Sequence, residues 1–274
     1  MELEDELGDI LEKARSGKNW SQSDLAKSAG MPSRDIERIE NYEWIPEERV
    51  ILKIAEALDL DGSSLAAIAI GKWVPKIETP DPGQFDIICL NVFMRSYPVK
   101  CYLVICRETR ATAIVDTGAN PEVIIQKTQE LGVKPEKILL THTHPDHAGG
   151  LNKLDKAFGC PTWVDKIEPR PSGSRDLRII EEGDLITLGQ LKIETIATRG
   201  HTPGGISFKI NESVISGDAI FAGSMGRANS SWKDLFDSIT QNLLTLPDNT
   251  RLYPGHGPAT TVGEEKIHNP FFAR

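Results

Sequence analysis

The stretch Thr141-His-Thr-His-Pro-Asp-His147, followed by Ala148-Gly-Gly150, decides how the rest of the chain must be arranged around it. His142 and His144 stand two apart just after the apolar run Lys137-Ile-Leu-Leu140, so in extended chain their imidazoles point to one side and can share a metal ion. Pro145 fixes a turn, after which Asp146 and His147 can reach a second ion. Gly149 and Gly150 let a helix begin close behind, where bulkier side chains would block the approach. The missing nitrogen ligands can come from two glycine-flanked loops, His201 in Gly200-His-Thr202 for the first ion and His256 in Gly255-His-Gly257 for the second, and Asp218 can bridge the pair. His268 is outside every motif and is left out of the site. Burying three histidines and an aspartate within six residues would be costly without metal, because each group would need a hydrogen-bond partner or a shifted pKa.

Working outward, 274 residues are more than one small core needs and favour two domains. The net charge of −9 argues against attraction of the whole chain to phosphate backbones or anionic lipid. The start, Met1-Glu-Leu-Glu-Asp-Glu-Leu7, is acidic where a signal peptide would be basic, and no apolar run approaches the ~20 residues that span a bilayer. The expectation is a cytoplasmic protein with no membrane partner. Cys89, Cys101, Cys106 and Cys160 form no C-x-x-C pair and are expected to be reduced thiols.

The pattern divides the chain into 1–72, all-α, a linker over 73–84, and 85–274. Leu7, Ile10, Leu11 and Ala14 recur at helical spacing, as do Val50, Ile51, Ile54, Ala55 and Leu58, with two short helices between these stretches. Trp73-Val-Pro-Lys-Ile-Glu-Thr-Pro-Asp-Pro-Gly83 breaks helix and reads as the linker. Beyond it, Phe85 to Val92, Cys101 to Cys106 and Ala111 to Val115 read as strands, Pro121 to Leu131 as a helix, and Lys137 to Leu140 as another strand. The fold class is α+β.

Within the first part, Trp20-Ser-Gln-Ser-Asp-Leu-Ala-Lys-Ser-Ala-Gly-Met-Pro-Ser-Arg-Asp-Ile-Glu-Arg-Ile-Glu40 resembles the helix-turn-helix of the Cro/C1 repressor family. Ser21 is expected to cap one helix and Ser33 the next, Gly30 to permit the turn, and Leu25, Ala26, Ala29, Ile36 and Ile39 to face inward. The resemblance implies DNA contacts from Gln22, Ser33, Arg34 and Arg38, and allows a homodimer. Charge opposes it: residues 1–72 hold nine Lys/Arg against sixteen Asp/Glu, whereas DNA affinity rests largely on neutralising phosphates.

The ligand series of the second part, H-x-H-x-D-H followed by His201, Asp218 and His256, resembles that of metallo-β-lactamase-fold hydrolases. The resemblance implies an αβ/βα four-layer sandwich with the site along one edge, two divalent metal ions, zinc foremost with iron or manganese as alternatives, and Asp116 behind the metals as a supporting residue. Within that superfamily, His144 argues against the di-iron oxygen reductases, which carry glutamate there, and Asp218 argues against the β-lactamase class with cysteine. Ser216-Gly-Asp-Ala-Ile-Phe-Ala-Gly-Ser-Met-Gly-Arg227 and Tyr253-Pro-Gly-His-Gly-Pro258 are similar to the short bacterial glyoxalase II group. Arg199 departs from a proline common in that group, and only eighteen residues follow His256, too few for the helical domain that grips glutathione in full-length members.

The expected reaction is hydrolysis of a small hydroxyacyl-thiol thioester by a metal-bridged hydroxide, with Asp146 orienting the nucleophile and Arg227 contacting substrate. A persulfide dioxygenase with one iron, a lactonase, and a metabolite-sensing transcriptional regulator are the alternatives.

Overall fold

The computed structural model describes residues 2–76 and 83–273. Its first part is a cluster of five helices, α1 (Leu7–Gly17), α2 (Gln22–Ala29), α3 (Ser33–Glu40), α4 (Glu48–Leu58) and α5 (Gly62–Ala69). Ser21 caps α2 by accepting from the backbone of Asp24, whose carboxylate reaches back to the Ser21 N–H. Gly30 ends that helix at φ 65°. The expected cap at Ser33 is not formed: Pro32 takes the extended N-cap position and Ser33 becomes the first helical residue. Proline's fixed φ of about −65° suits that position, although it leaves the helix without a side-chain cap. Leu25, Ala26, Ile36 and Ile39 are buried as expected, while Ala29 is half-buried.

The second part contains fourteen strands among the described residues. One sheet runs in chain order through β1 (Phe85–Met94), β2 (Tyr97–Cys106), β3 (Thr112–Val115), β4 (Pro135–Leu139), β5 (Thr162–Asp165) and β6 (Leu177–Ile180). Its first pairings are antiparallel and those from β3 onward are parallel. The remaining strands are β7 (Leu185–Leu188), β8 (Leu191–Ala197), β9 (Ile206–Ile210), β10 (Ser213–Gly217), the small hairpin β11 (Ile220–Phe221) and β12 (Ser224–Met225), then β13 (Arg251–Pro254) and β14 (Thr260–Thr261). Apart from the hairpin they form a second sheet in the order β14-β13-β10-β9-β8-β7. Helices α6 (Glu122–Glu130), α7 (Pro145–Ala148), α8 (Leu151–Phe158), α9 (Trp232–Ser238), continued by a π-helical turn over Ile239–Leu243, and α10 (Val262–His268) complete the described elements.

Alternation along the strands builds the layers. In β2, Tyr102, Val104 and Cys106 point toward the second sheet, among Phe208, Ile210 and Ile215, while Cys101, Leu103 and Ile105 point outward against α6 and α8 through Ile124, Leu151 and Leu154. Such a strand is buried on both faces, which is why it reads as an unbroken apolar run. All four cysteines are free thiols, and Cys89 is exposed. Among the described residues no helix is long and apolar enough to cross a membrane.

The outer face of the second sheet is covered by more than its own helices. Val214 and Leu252 share one apolar cluster with Leu235, Ile239, Phe271 and Phe272, and the same cluster takes in Leu7, Ile10, Leu11, Leu58 and Leu65 of the five-helix part. Polar links accompany it. The Asp61 N–H donates to the Pro270 carbonyl at 2.8 Å, and Lys13, buried and paired with Asp5, donates to the Met225 carbonyl at 2.8 Å. Trp73 at the start of the expected linker is buried and donates its indole N–H to Glu264 at 3.1 Å; positions 77–82 of that linker lie outside the described residues.

With a shared core of this kind, the two parts are expected to unfold together. Thermal melts followed by far-ultraviolet circular dichroism and tryptophan fluorescence are expected to coincide in one transition. Lys13→Met, which strands the Asp5 carboxylate in the interface, is expected to lower stability by about 3–5 kcal/mol in denaturant titration. Separate transitions for the two parts would contradict the shared core.

Candidate metal centre

Strand ends assemble the site. β4 runs into Thr141-His142, α7 carries Asp146 and His147, β10 delivers Asp218, and β13 delivers His256 two residues after Pro254. His201 arrives on the loop after β8. The site lies beyond the carboxyl ends of parallel neighbours β3 and β4 in one sheet and β10 and β13 in the other, where α/β sheets present loop side chains. Two local approaches depend on glycine. A Cβ on Gly150 would lie 2.9 Å from the Thr117 carbonyl oxygen, and one on Gly255 would lie 2.2 Å from Asp218 Oδ1 and 2.7 Å from the His147 ring.

The side chains fall into two groups, His142 with His144 and His201, and Asp146 with His147, Asp218 and His256; within each, one candidate ligand atom per residue lies within 4.8 Å of the others. His144 Nδ1 is 3.0 Å from His201 Nε2. His147 Nε2 stands 3.3 Å from Asp218 Oδ1 and 3.8 Å from Asp146 Oδ2. Asp218 Oδ2 is 3.5 Å from His256 Nε2 and 3.6 Å from His201 Nε2, so this carboxylate faces both groups. His142 Nε2, His147 Nε2 and Asp218 Oδ1 are buried without a hydrogen-bond partner. Imidazole nitrogen and carboxylate oxygen are the donors that zinc, iron and manganese accept, and buried atoms left unpaired in this way are costly unless a cation joins them.

Hydrogen bonds behind the rings fix which nitrogen faces inward. Asp116, at φ 59°, accepts from the Thr141 N–H and hydroxyl, each at 2.8 Å, and sits 2.8 Å from His147 Nδ1. His201 Nδ1 lies 2.7 Å from the Arg227 carbonyl oxygen, and His256 Nδ1 lies 3.0 Å from that of Pro98. With Nδ1 so engaged, Nε2 of each ring is the atom turned to the site.

Electrostatics separate the groups. Burial, reinforced by His147, holds His142 well below the usual imidazole range, and burial also lowers His201. Burial works the same way on His147, yet Asp218 and Asp116 hold that ring well above its usual range. His256 is pushed up to about 10 against its burial by Asp146 and Asp218. Burial would raise Asp218, but His147 and His256 keep it well below the ordinary carboxylate range. His142 and His201 are therefore neutral imidazoles, and the other group is rich in ionised carboxylate.

The remaining expected residues are placed differently. Arg227 offers its backbone to His201, while its guanidinium is turned to Glu12 on α1. Of the expected DNA contacts, Ser33 and Arg34 are exposed, Gln22 donates to Glu40 at 2.8 Å, and Arg38 lies over Trp44 at 5.3 Å. His268 packs on Trp73, away from the site. Sequence reading missed Glu168. This buried acid accepts from the Thr143 N–H and hydroxyl with one oxygen and from the Gly204 N–H with the other, tying the His142–His147 loop to the His201 loop. It also missed Glu4, 3.8 Å from His256 Nδ1. Neither has a spacing signal, since each acts from a segment remote in sequence.

Comparison with known proteins gives this geometry a family. The model of the metallo-beta-lactamase superfamily matches residues 95–256, and a helix-turn-helix domain model matches residues 6–68. The hydroxyacylglutathione hydrolase GloC of Haemophilus influenzae is 33% identical over 211 residues, covering 69% of this chain and 97% of GloC. The probable metallo-hydrolase YqgX of Bacillus subtilis is 37% identical over 180 residues, covering 58% of this chain and 85% of YqgX. Among solved structures, TTHA1623 in a di-iron-bound form superposes with a TM-score of 0.59 at 32% identity, covering 66% of this chain and 99% of that one. The chain belongs to the metallo-beta-lactamase superfamily, with a helix-turn-helix domain ahead of the sandwich.

Proposed function

We propose that this metallo-hydrolase cleaves a small thioester of the hydroxyacyl-thiol type. Its centre is formed by His142, His144 and His201 on one side and Asp146, His147 and His256 on the other, with Asp218 bridging them. The observation that carries the reading is the pair of ligand groups in which buried His142 Nε2, His147 Nε2 and Asp218 Oδ1 lack any hydrogen-bond partner. Divalent ions, zinc foremost and iron or manganese by the same donors, would supply Lewis acidity and lower the pKa of water from about 15.7 toward ~7.

The chain's own residues do the rest. Asp116 and the carbonyls of Arg227 and Pro98 orient the rings, and Glu168 keeps the two histidine loops in register. Asp146 has the more solvent-accessible carboxylate, 20% exposed against 7% for Asp218, which supports its orienting an attacking water. A thiol pKa near ~8.5 makes thiolate a competent leaving group without a general acid, whereas an amide would require one. The similarity to a hydroxyacylglutathione hydrolase supports the same substrate class.

A second reading concerns DNA. The helix-turn-helix match and the exposed Ser33 and Arg34 on α3 favour it, while nine basic against sixteen acidic residues over 1–72 limits the phosphate attraction available.

Assayed on metal-quantified protein, a panel of thioesters and lactones is expected to show thioester turnover dominating; lactone preference, or oxygen uptake with a persulfide, would contradict the substrate class. Asp218→Asn is expected to lower kcat/KM by at least ~100-fold with loss of bound metal, and Asp116→Asn by ~10–100-fold. Full activity in Asp218→Asn would refute the bridge. A gel shift on genomic fragments at low salt tests the DNA reading: a band weakened by Arg34→Ala supports it, and no band contradicts it.

A further inference from the structure

The contact between α1 and the segment behind His201 is unaccounted for by the hydrolytic reading. Arg227 Nη1 and Nη2 donate to the two oxygens of Glu12 at 2.8 and 2.9 Å. The same Arg227 gives its backbone carbonyl to His201 Nδ1, so this guanidinium departs from the residue directly behind a candidate metal ligand. Both side chains of the pair are partly open to solvent, 49% and 38% exposed. An ion pair so exposed adds little to stability, and its consequence is for charge. A free arginine at this position would be a bidentate anchor for a carboxylate on an incoming molecule, and the helical domain supplies that carboxylate from within. Arg227 holds Glu12 below the usual carboxylate range, so Glu12 is ionised at neutral pH and the pair is electrically closed.

We propose that Glu12 is a specificity-determining residue, which by occupying Arg227 biases the enzyme toward thioesters whose thiol portion carries no free carboxylate. The proposal rests on the thioester reading for its substrate class, but the geometry of the pair is independent of it. It also gives the helical domain a role in the hydrolase that DNA binding does not supply. Selectivity here acts by blocking the anchor that a competing substrate needs rather than by adding a contact to the preferred one.

The test uses the full-length protein with Glu12→Gln and with the double variant Glu12→Gln, Arg227→Ala. Two thioesters of one acyl group are compared, one on glutathione and one on the uncharged N-acetylcysteamine. In Glu12→Gln the ratio of kcat/KM for the glutathione ester to that for the neutral ester is expected to rise by about 5–10-fold, and to return toward the wild-type ratio in the double variant. Independently of turnover, the Kd for the unreactive thioether S-hexylglutathione is expected to tighten by about 5-fold in Glu12→Gln and to lose that gain in the double variant. An unchanged Kd, or a gain that persists without Arg227, overturns the proposal whether or not the protein is active. A wild type that binds the thioether but turns over neither ester defeats the thioester reading alone, and the binding measurements still decide the role of Glu12.

Discussion

Three buried polar atoms of the candidate metal centre that make no hydrogen bond, His142 Nε2, His147 Nε2 and Asp218 Oδ1, are the constraint on which the rest of the structure depends. Leaving such groups unsatisfied is costly, and much of the surrounding chain is arranged to hold them there. Asp116 is kept in a left-handed backbone conformation at a strand end, where it takes Thr141 and His147 together. Glu168 joins two loops that the sequence separates widely, and Gly255 is bare so that Asp218 and His147 can close. The sandwich brings four strand ends to one edge, and the candidate ligands leave from those ends.

The helix-turn-helix domain joins this arrangement as a packed layer. Its apolar face completes the cover of the second sheet, Lys13 reaches the β11–β12 hairpin, and Glu4 and Glu12 come up behind His256 and Arg227. A module whose fold resembles a DNA reader is thereby also a wall of an enzyme. The acidic composition that weakens its attraction for phosphate supplies the carboxylates that make these contacts.

Much of this was legible in the sequence because local rules express it. The two-residue spacing of His142 and His144 and the doublet Asp146-His147 follow from strand and turn geometry, and the unbroken apolar run of Cys101 to Cys106 announces a strand buried on both faces. Legibility ended where partners are remote. No pattern in residues 1–72 shows that Leu7 and Leu65 share a core with Phe271 and Phe272, and nothing near Arg227 announces that Glu12 will neutralise it. The cap at Ser33 was misplaced by one residue because Pro32 also satisfies an extended N-cap. Glu168 was invisible for a related reason: a buried acid in a loop is recognised only by the amides it collects.

The central claim is that the two facing ligand groups hold metal, and elemental analysis of the protein purified without chelator tests it most directly. Close to two divalent ions per chain are expected, matching the two groups of candidate ligand atoms. A content well under one ion per chain would contradict it.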